Sequence, residues 1–177
     1  KLIRYSNPDK NKKTLFIWPE GVFSGYSYQE VQILKKRFSD SFSKKHLIVF
    51  GINNLDELSG DFYNSMLVVD NNFKIIHRYD KRKLVPFGEF LPFENLLNSI
   101  GLKKITEGHG SFLSGNDNGS LKILNANILP LICYEIIFPE LIQSSDQDTN
   151  LVVNISEDGW FGNSIGPYQH FAKGIFR

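Results

Sequence analysis

Cysteine is nearly absent from this chain: Cys133 is the single one among 177 residues. One thiol excludes an intrachain disulfide and leaves the redox compartment unassigned. Four scattered histidines and that one cysteine give no metal-ligand spacing. Excess charge is absent too: 20 Lys+Arg against 19 Asp+Glu leave a net charge of +1, which removes the electrostatic signature of a nucleic-acid binder. No apolar run reaches the roughly 18 residues that a membrane-spanning helix needs. No signal peptide stands at Lys1. There is no internal repeat and no low-complexity linker, so residues 1–177 read as one domain. The chain is expected to be cut at both ends, because it opens a few residues before a strand and stops at Arg177 inside a helical pattern.

What is present is apolar and aromatic, with 15 Phe and 7 Tyr. Thr14 to Trp18, Leu47 to Ile52, Ile128 to Ile132 and Leu151 to Ile155 are short, largely apolar runs, the pattern of strands buried on both faces. Leu121 to Leu124 adds a shorter strand. From Tyr28 to Lys44, Val31, Leu34, Phe38 and Phe42 recur at helical spacing with charge off that face. Tyr63 to Asp70 and Phe73 to Tyr79 flank Asn71-Asn72 as a hairpin. Lys81 to Phe93 reads as a loop, Phe93 to Ile100 as a short helix, and Gly108 to Gly119 as a Gly/Ser/Asn loop. A helix to about Gln143 follows Cys133, and another begins at Tyr168 after an Asp158 to Pro167 loop. Strands alternating with helices predict an α/β layered fold with helices covering the sheets.

Three segments share one layout: a reactive side chain just past the C-terminal end of an apolar strand. Glu20 follows Phe16-Ile17-Trp18-Pro19, Lys81 follows Ile75 to Asp80, and Cys133 follows Ile132. In α/β sheets those ends are where sites assemble. A carboxylate, an amine and a thiol brought together there make a working set: Glu20 to take the thiol proton, Lys81 to face an oxyanion, Cys133 to attack. A thiol at a strand-to-helix turn also lies near backbone N–H groups that favour its thiolate. Taken singly, each has a plainer reading: a small core hydrophobe for Cys133, a solvated loop carboxylate for Glu20, surface charge for Lys81. The sequence does not show that the three converge.

At these residues the chain resembles the nitrilase (carbon–nitrogen hydrolase) superfamily, which uses a Glu–Lys–Cys triad. The order matches, as do the separations of 61 and 52 residues. The resemblance is closest to the apolipoprotein N-acyltransferase branch. It rests on Trp18-Pro19-Glu20, the stretch Tyr79 to Pro92 with Lys81-Arg82-Lys83-Leu84-Val85-Pro86-Phe87-Gly88-Glu89, Cys133-Tyr134-Glu135, and Asp158-Gly159-Trp160-Phe161-Gly162 running on to Gln169-His170. Three positions depart from these patterns. Lys83 stands where soluble nitrilases commonly have His, and Glu157 and Gly159 stand where the branch usually has Asn and Ala.

The resemblance implies an α-β-β-α layered sandwich. It implies Glu20 as general base and then acid, Lys81 and the Tyr134 N–H as the oxyanion site, and Cys133 as the residue that forms an acyl-thioester. Glu89 and Glu135 match acidic positions beside the site that support Lys81, and Trp160 lies in the loop near it. Phe87, Phe90, Phe93, Trp160 and Phe161 are loop aromatics near the site with two readings, contact with lipid or packing back onto the core. The implied activity moves a fatty acyl group from a phospholipid donor to the N-terminal diacylglyceryl-cysteine of apolipoproteins, with no cofactor. Flanking transmembrane segments missing from this chain would then hold the domain at the bacterial inner membrane, facing the periplasm. A soluble amidase or nitrilase that uses the same triad to hydrolyse a carbon–nitrogen bond is the alternative, and a catalytically dead binding domain is a further one.

Overall fold

The computed structural model describes residues 1–90, 92, 112–116 and 120–176, with the side chain of residue 160 left out. Two sheets stack face to face. The first contains β1 (Thr14–Ile17), β2 (His46–Leu55), β3 (Phe62–Val69) and β4 (Ile75–Asp80) in that order, with β5 (Phe112–Leu113) extending the β4 side of β3. β1 and β2 are parallel, whereas β2, β3 and β4 run antiparallel. The second sheet has the order β6 (Leu121–Ile123), β7 (Ala126–Ile132), β8 (Leu151–Ile155), with β7 and β8 parallel.

The continuous apolar runs follow from this stacking. In β2, Ile48, Phe50 and Ile52 face the helical layer while Val49 faces the other sheet. In β3, Leu67 and Val69 face the helices while Met66 and Val68 face the second sheet. β7 splits the same way: Ile128 and Ile132 point between the sheets, and Leu129 and Leu131 point outward to the helical segment after Cys133. Successive side chains alternate across a strand, so a strand covered on both sides needs an apolar residue at every position. The outcome is the α-β-β-α sandwich expected from the resemblance.

The helices are shorter than their sequence pattern. The segment from Tyr28 is α2 (Tyr28–Val31), a 3₁₀ turn (Gln32–Leu34) and α3 (Lys35–Ser41). The expected face still buries Val31, Phe38 and Phe42 against Trp18 and Phe50. Ser27 and Glu30 close the N-terminus with a reciprocal capping box. The basic N-terminal stretch holds a short helix, α1 (Leu2–Ser6). The hairpin between β3 and β4 exists, but Phe73 belongs to its turn rather than to the strand. Its φ is 60°, a conformation in which a turn can bury its ring in the first core. After Cys133 the chain forms a 3₁₀ turn (Cys133–Ile137) and then α4 (Pro139–Gln143), because Pro139 restarts the helix at its first position. The last helix is α5 (Gly166–Ile175). The helix expected over Phe93 to Ile100, and most of the loop expected over Gly108 to Gly119, lie outside the described residues.

Candidate active site

Four chain segments converge at the C-terminal ends of β1, β4, β7 and β8. β1 leads through Pro19 to Glu20, which opens a 3₁₀ turn (Glu20–Val22). This loop sits directly over Gly51 of β2, where a Cβ would collide with the Glu20 backbone. Glycine at that strand position therefore sets how close Glu20 comes to the sheet. The Glu20 carboxylate is held at both oxygens: Asn64 Nδ2 donates to Oε1 at 2.8 Å and the Glu157 N–H donates to Oε2 at 2.9 Å. Burial pushes its pKa up, and the Lys81 charge and these two hydrogen bonds only partly offset that.

Lys81 immediately follows β4, and its side chain is 1% exposed. A buried ammonium needs partners, and Nζ donates to Glu89 Oε1 at 2.8 Å. Burial alone would lower the Lys81 pKa, but Glu89, Glu20 and Cys133 outweigh it and raise it. The amine is therefore a fixed positive charge at neutral pH. Glu89 does more than pair with it. Its Oε1 also accepts from Asn64 Nδ2 at 3.0 Å, and its Oε2 accepts from the Val85 N–H at 2.9 Å, which ties the loop after β4 back on itself. Asn64 thus bridges Glu20 and Glu89.

Cys133 ends β7 with φ 53°, a left-handed conformation unusual for a non-glycine residue. The bend turns the thiol out of the strand. The Cys133 pKa is raised to about 11 by burial and by the Glu20 carboxylate, against the pull of Lys81, the Ser156 hydroxyl and the Tyr134 N–H. At rest the thiol is therefore protonated, and a base must take its proton before it can attack. Glu20 and Lys81 both act on its titration, so the three groups share one electrostatic site.

Glu135 points away from the thiol. It is fully buried, and Oε1 accepts from the N–H groups of Arg82 and Lys83 at 2.7 and 3.0 Å. Oε2 accepts from the Tyr79 hydroxyl and the Ile132 N–H, both at 2.9 Å. One carboxylate thereby clips the Lys81 loop to the Cys133 turn. The Tyr134 ring stacks on His170 at 5.2 Å and 10°. The Trp160 side chain is outside the described residues.

Residues to which the sequence reading gave no role complete the surroundings. Asn64 is one; the sign of it was a polar pair, Asn64-Ser65, inside an otherwise apolar strand. Glu157, the departure from the branch pattern, offers its N–H to Glu20 while its side chain lies over Gly21 and Gly159. Ser156, Asp158 and His170 form a third group. Ser156 Oγ lies 2.6 Å from Asp158 Oδ1 and 3.6 Å from Cys133 Sγ. His170 Nδ1 lies 2.9 Å from the same Asp158 oxygen, and Nε2 lies 3.0 Å from the Cys133 carbonyl oxygen. Burial opposes ionisation of Asp158, but the bonds from Ser156 and His170 hold its carboxyl below the ordinary range. Among the described residues no group of three or more His, Cys, Asp or Glu side chains is arranged to hold a metal ion.

The arrangement can do acid–base-assisted nucleophilic chemistry at a carbonyl: a thiol, a carboxylate that can take its proton, and a desolvated cation beside them. The chain is similar to several proteins of known description. The apolipoprotein N-acyltransferase of Rhodopseudomonas palustris (strain ATCC BAA-98 / CGA009) is 38% identical over 170 residues, which covers 93% of this chain and 32% of that protein. The chain spans about a third of the length of the curated relatives it matches. Among solved structures, the glutamine-dependent NAD+ synthetase from Acinetobacter baumannii superposes with a TM-score of 0.57 at 23% identity, over 89% of this chain and 28% of that one. Saccharomyces cerevisiae Nit3, a member of branch 10 of the nitrilase superfamily, superposes with a TM-score of 0.53 at 18% identity, over 81% of this chain and 51% of that one. At these identities the two structures speak for the fold alone. Residues 5–174, which carry every group of the site, match the carbon-nitrogen hydrolase family, and the chain belongs to that family.

Proposed function

We propose that this chain is the catalytic domain of an N-acyltransferase that works through an acyl-thioester on Cys133. The observation that carries the reading is the Lys81 ammonium, almost wholly buried and ion-paired to Glu89, next to a thiol and a second carboxylate. A cation is held out of water at that cost where negative charge has to be stabilised.

In the first half-reaction Cys133 Sγ attacks the carbonyl carbon of a phospholipid ester, and its proton passes to Glu20. The oxyanion of the tetrahedral intermediate lies against Lys81 and the Tyr134 N–H. The ester C–O bond then breaks, the lysophospholipid oxygen takes the proton back from Glu20, and the acyl group remains on sulfur. In the second half-reaction the α-amino group of a diacylglyceryl-cysteine attacks the thioester. Glu20 receives the amine proton, the C–S bond breaks, and the thiolate is reprotonated. The products are an amide and the free enzyme, so no cofactor enters the balance. The naming of the relatives as apolipoprotein N-acyltransferases supports an apolipoprotein as acceptor, and phospholipid as donor is what the family resemblance implies.

No helix among the described residues is long and apolar enough to cross a membrane. In this reading the membrane is met through parts of the full-length protein outside this chain, at the bacterial inner membrane with the domain on the periplasmic side. Phe87, half-exposed in the loop after Lys81, would face lipid.

The test is mass spectrometry of the full-length protein after incubation with phospholipid. A fatty acyl thioester on the Cys133 peptide is expected, consumed on addition of a diacylglyceryl peptide with a free α-amine. Cys133→Ser should give no normal acyl-enzyme, since an alcohol holds its proton far more tightly than a thiol. A thioester formed from a small amide but not from phospholipid would move the protein to the amidases, and acylation of any other residue would end the proposal.

A further inference from the structure

The reading of Cys133 as an acylated nucleophile makes no use of the pair formed by buried His170 and partly exposed Asp158. His170 is 5% exposed and comes from α5, well separated in sequence from the nucleophile. Its Nε2 lies 3.0 Å from the Cys133 carbonyl oxygen. A carbonyl only accepts, so Nε2 carries a hydrogen and donates it. Nδ1 lies 2.9 Å from Asp158 Oδ1, which fixes the ring on its other side. Asp158 is in turn held by the Ser156 hydroxyl at 2.6 Å.

The Cys133 carbonyl belongs to the peptide whose other end is the Tyr134 N–H. That N–H favours the Cys133 thiolate and is the backbone donor assigned to the oxyanion in the proposed reaction. Cys133 itself is held at φ 53°, in the left-handed region. Rotation of the Cys133–Tyr134 peptide plane, about Cys133 ψ and Tyr134 φ, would swing the N–H out of the site. A hydrogen bond to the C=O end opposes that rotation. It also polarises the amide and strengthens the donor at the N–H end.

We infer that His170, oriented by Asp158, is a positioning residue for the acyl transfer proposed above: it locks the Cys133–Tyr134 peptide so that its N–H stays aimed at the reacting atoms. His170 never touches the substrate. Its effect therefore falls on the step that builds an oxyanion, and much less on a step that needs only the sulfur.

The competing explanation is that the ring merely packs, since it stacks on Tyr134 and lies near Phe161. Two amide substitutions separate the roles. The amide nitrogen of Gln lies about as far from Cα as Nε2 and can reach the Cys133 carbonyl. That of Asn lies about as far as Nδ1 and can reach only Asp158. Both remove the aromatic ring.

The experiment compares the full-length protein with His170→Asn and His170→Gln in two reactions. One is the acylation burst with p-nitrophenyl butyrate, which passes through an oxyanion. The other is alkylation of Cys133 by iodoacetamide, which does not. The His170→Asn burst rate should fall by about 10²–10³, the loss expected for one oxyanion donor. Its alkylation should stay within about tenfold of the parent, the worth of one hydrogen bond to the sulfur. His170→Gln should keep its burst within about tenfold of the parent, again the scale of one altered hydrogen bond. Equal losses in the two variants, equal losses in the two reactions, or a parent-like burst in His170→Asn would each overturn the inference. A parent protein with no burst would overturn it together with the nucleophile assignment. A parent that bursts with the ester but takes no acyl group from phospholipid would overturn the acyltransferase reading alone. Melting curves on both variants show whether either has lost its fold, and a variant unfolded by loss of the ring counts for packing and against positioning.

Discussion

Glu89→Gln is the substitution whose consequence can be worked furthest from the structure. Glu89 Oε1 takes the Lys81 ammonium at 2.8 Å and Asn64 Nδ2 at 3.0 Å, while Oε2 takes the Val85 N–H at 2.9 Å. Glutamine offers one oxygen and one NH2 group. Whichever way the amide turns, its NH2 meets a donor, either Lys81 with Asn64 or the Val85 N–H, and the charge opposite Lys81 is gone in both cases. A hydrogen bond to a charged group contributes about 1.5–3 kcal/mol, so misplacing Lys81 by that amount slows acylation by about 10–10². Lys81→Met removes the cation outright and should cost about 10²–10³. If Glu89 acts through Lys81, the double variant should be no slower than Lys81→Met, with a coupling of about 1.5–3 kcal/mol. The assay is single-turnover formation of the Cys133 thioester in all four proteins. Melting curves give a second readout. Lys81→Met strands a buried carboxylate, and breaking a buried pair by removing one partner costs about 3–5 kcal/mol, so the double variant should melt above Lys81→Met. Rate losses that multiply to within about 0.5 kcal/mol of additivity would refute the assignment of Glu89 to Lys81 and give it an independent role.

Three further predictions concern the triad. Lys81→Arg should be nearly as slow as Lys81→Ala, about 10²–10³ below the parent, because a planar guanidinium cannot fill a site shaped for a compact ammonium that is 1% exposed. Lys83→Ala, at a partly exposed position facing Glu140, should be far milder, and parent-like turnover in Lys81→Arg would return Lys81 to the status of structural charge. Alkylation of the Cys133 peptide by iodoacetamide should climb until the pH passes about 11, because a raised pKa keeps the thiol protonated through the neutral range; a plateau near pH 9 would contradict the site's electrostatics. Glu20→Gln should move that profile to lower pH, since it removes the nearby negative charge, while slowing thioester formation by about 10²–10⁴. A variant in which both reactions speed up or both slow down would show that Glu20 is not the base.

That the strands lie in covered layers of an α/β fold could be read from the strands alone, whereas the α-β-β-α sandwich was implied by the family resemblance. Ile48 to Ile52, Met66 to Val69 and Ile128 to Ile132 are apolar at every position, and only strands covered on both faces need that. The order of Glu20, Lys81 and Cys133, each just past a strand, is likewise a property of the chain, because a strand end delivers its next residue to the rim of the sheet whatever lies beside it. Helix lengths were less legible. Hydrophobic spacing does not encode the break at Gln32–Leu34, and the restart at residue 139 is set by a proline at the first helical position rather than by that spacing. The rest of the site belongs to tertiary structure. Glu89 and Glu135 are both carboxylates near reactive residues in sequence, yet one pairs with the Lys81 amine and the other clips backbone N–H groups of the Lys81 loop. Asn64 is a polar residue in a strand until the fold sets Glu20 and Glu89 on either side of it. His170 lies on a different element from the thiol, and only the packing of the last helix against the Cys133 turn brings its ring to that carbonyl. The local sequence dictates where a side chain leaves its own strand or helix. Which charges share a desolvated site depends on long-range packing between elements far apart in the chain, and for these residues no local pattern carries that information.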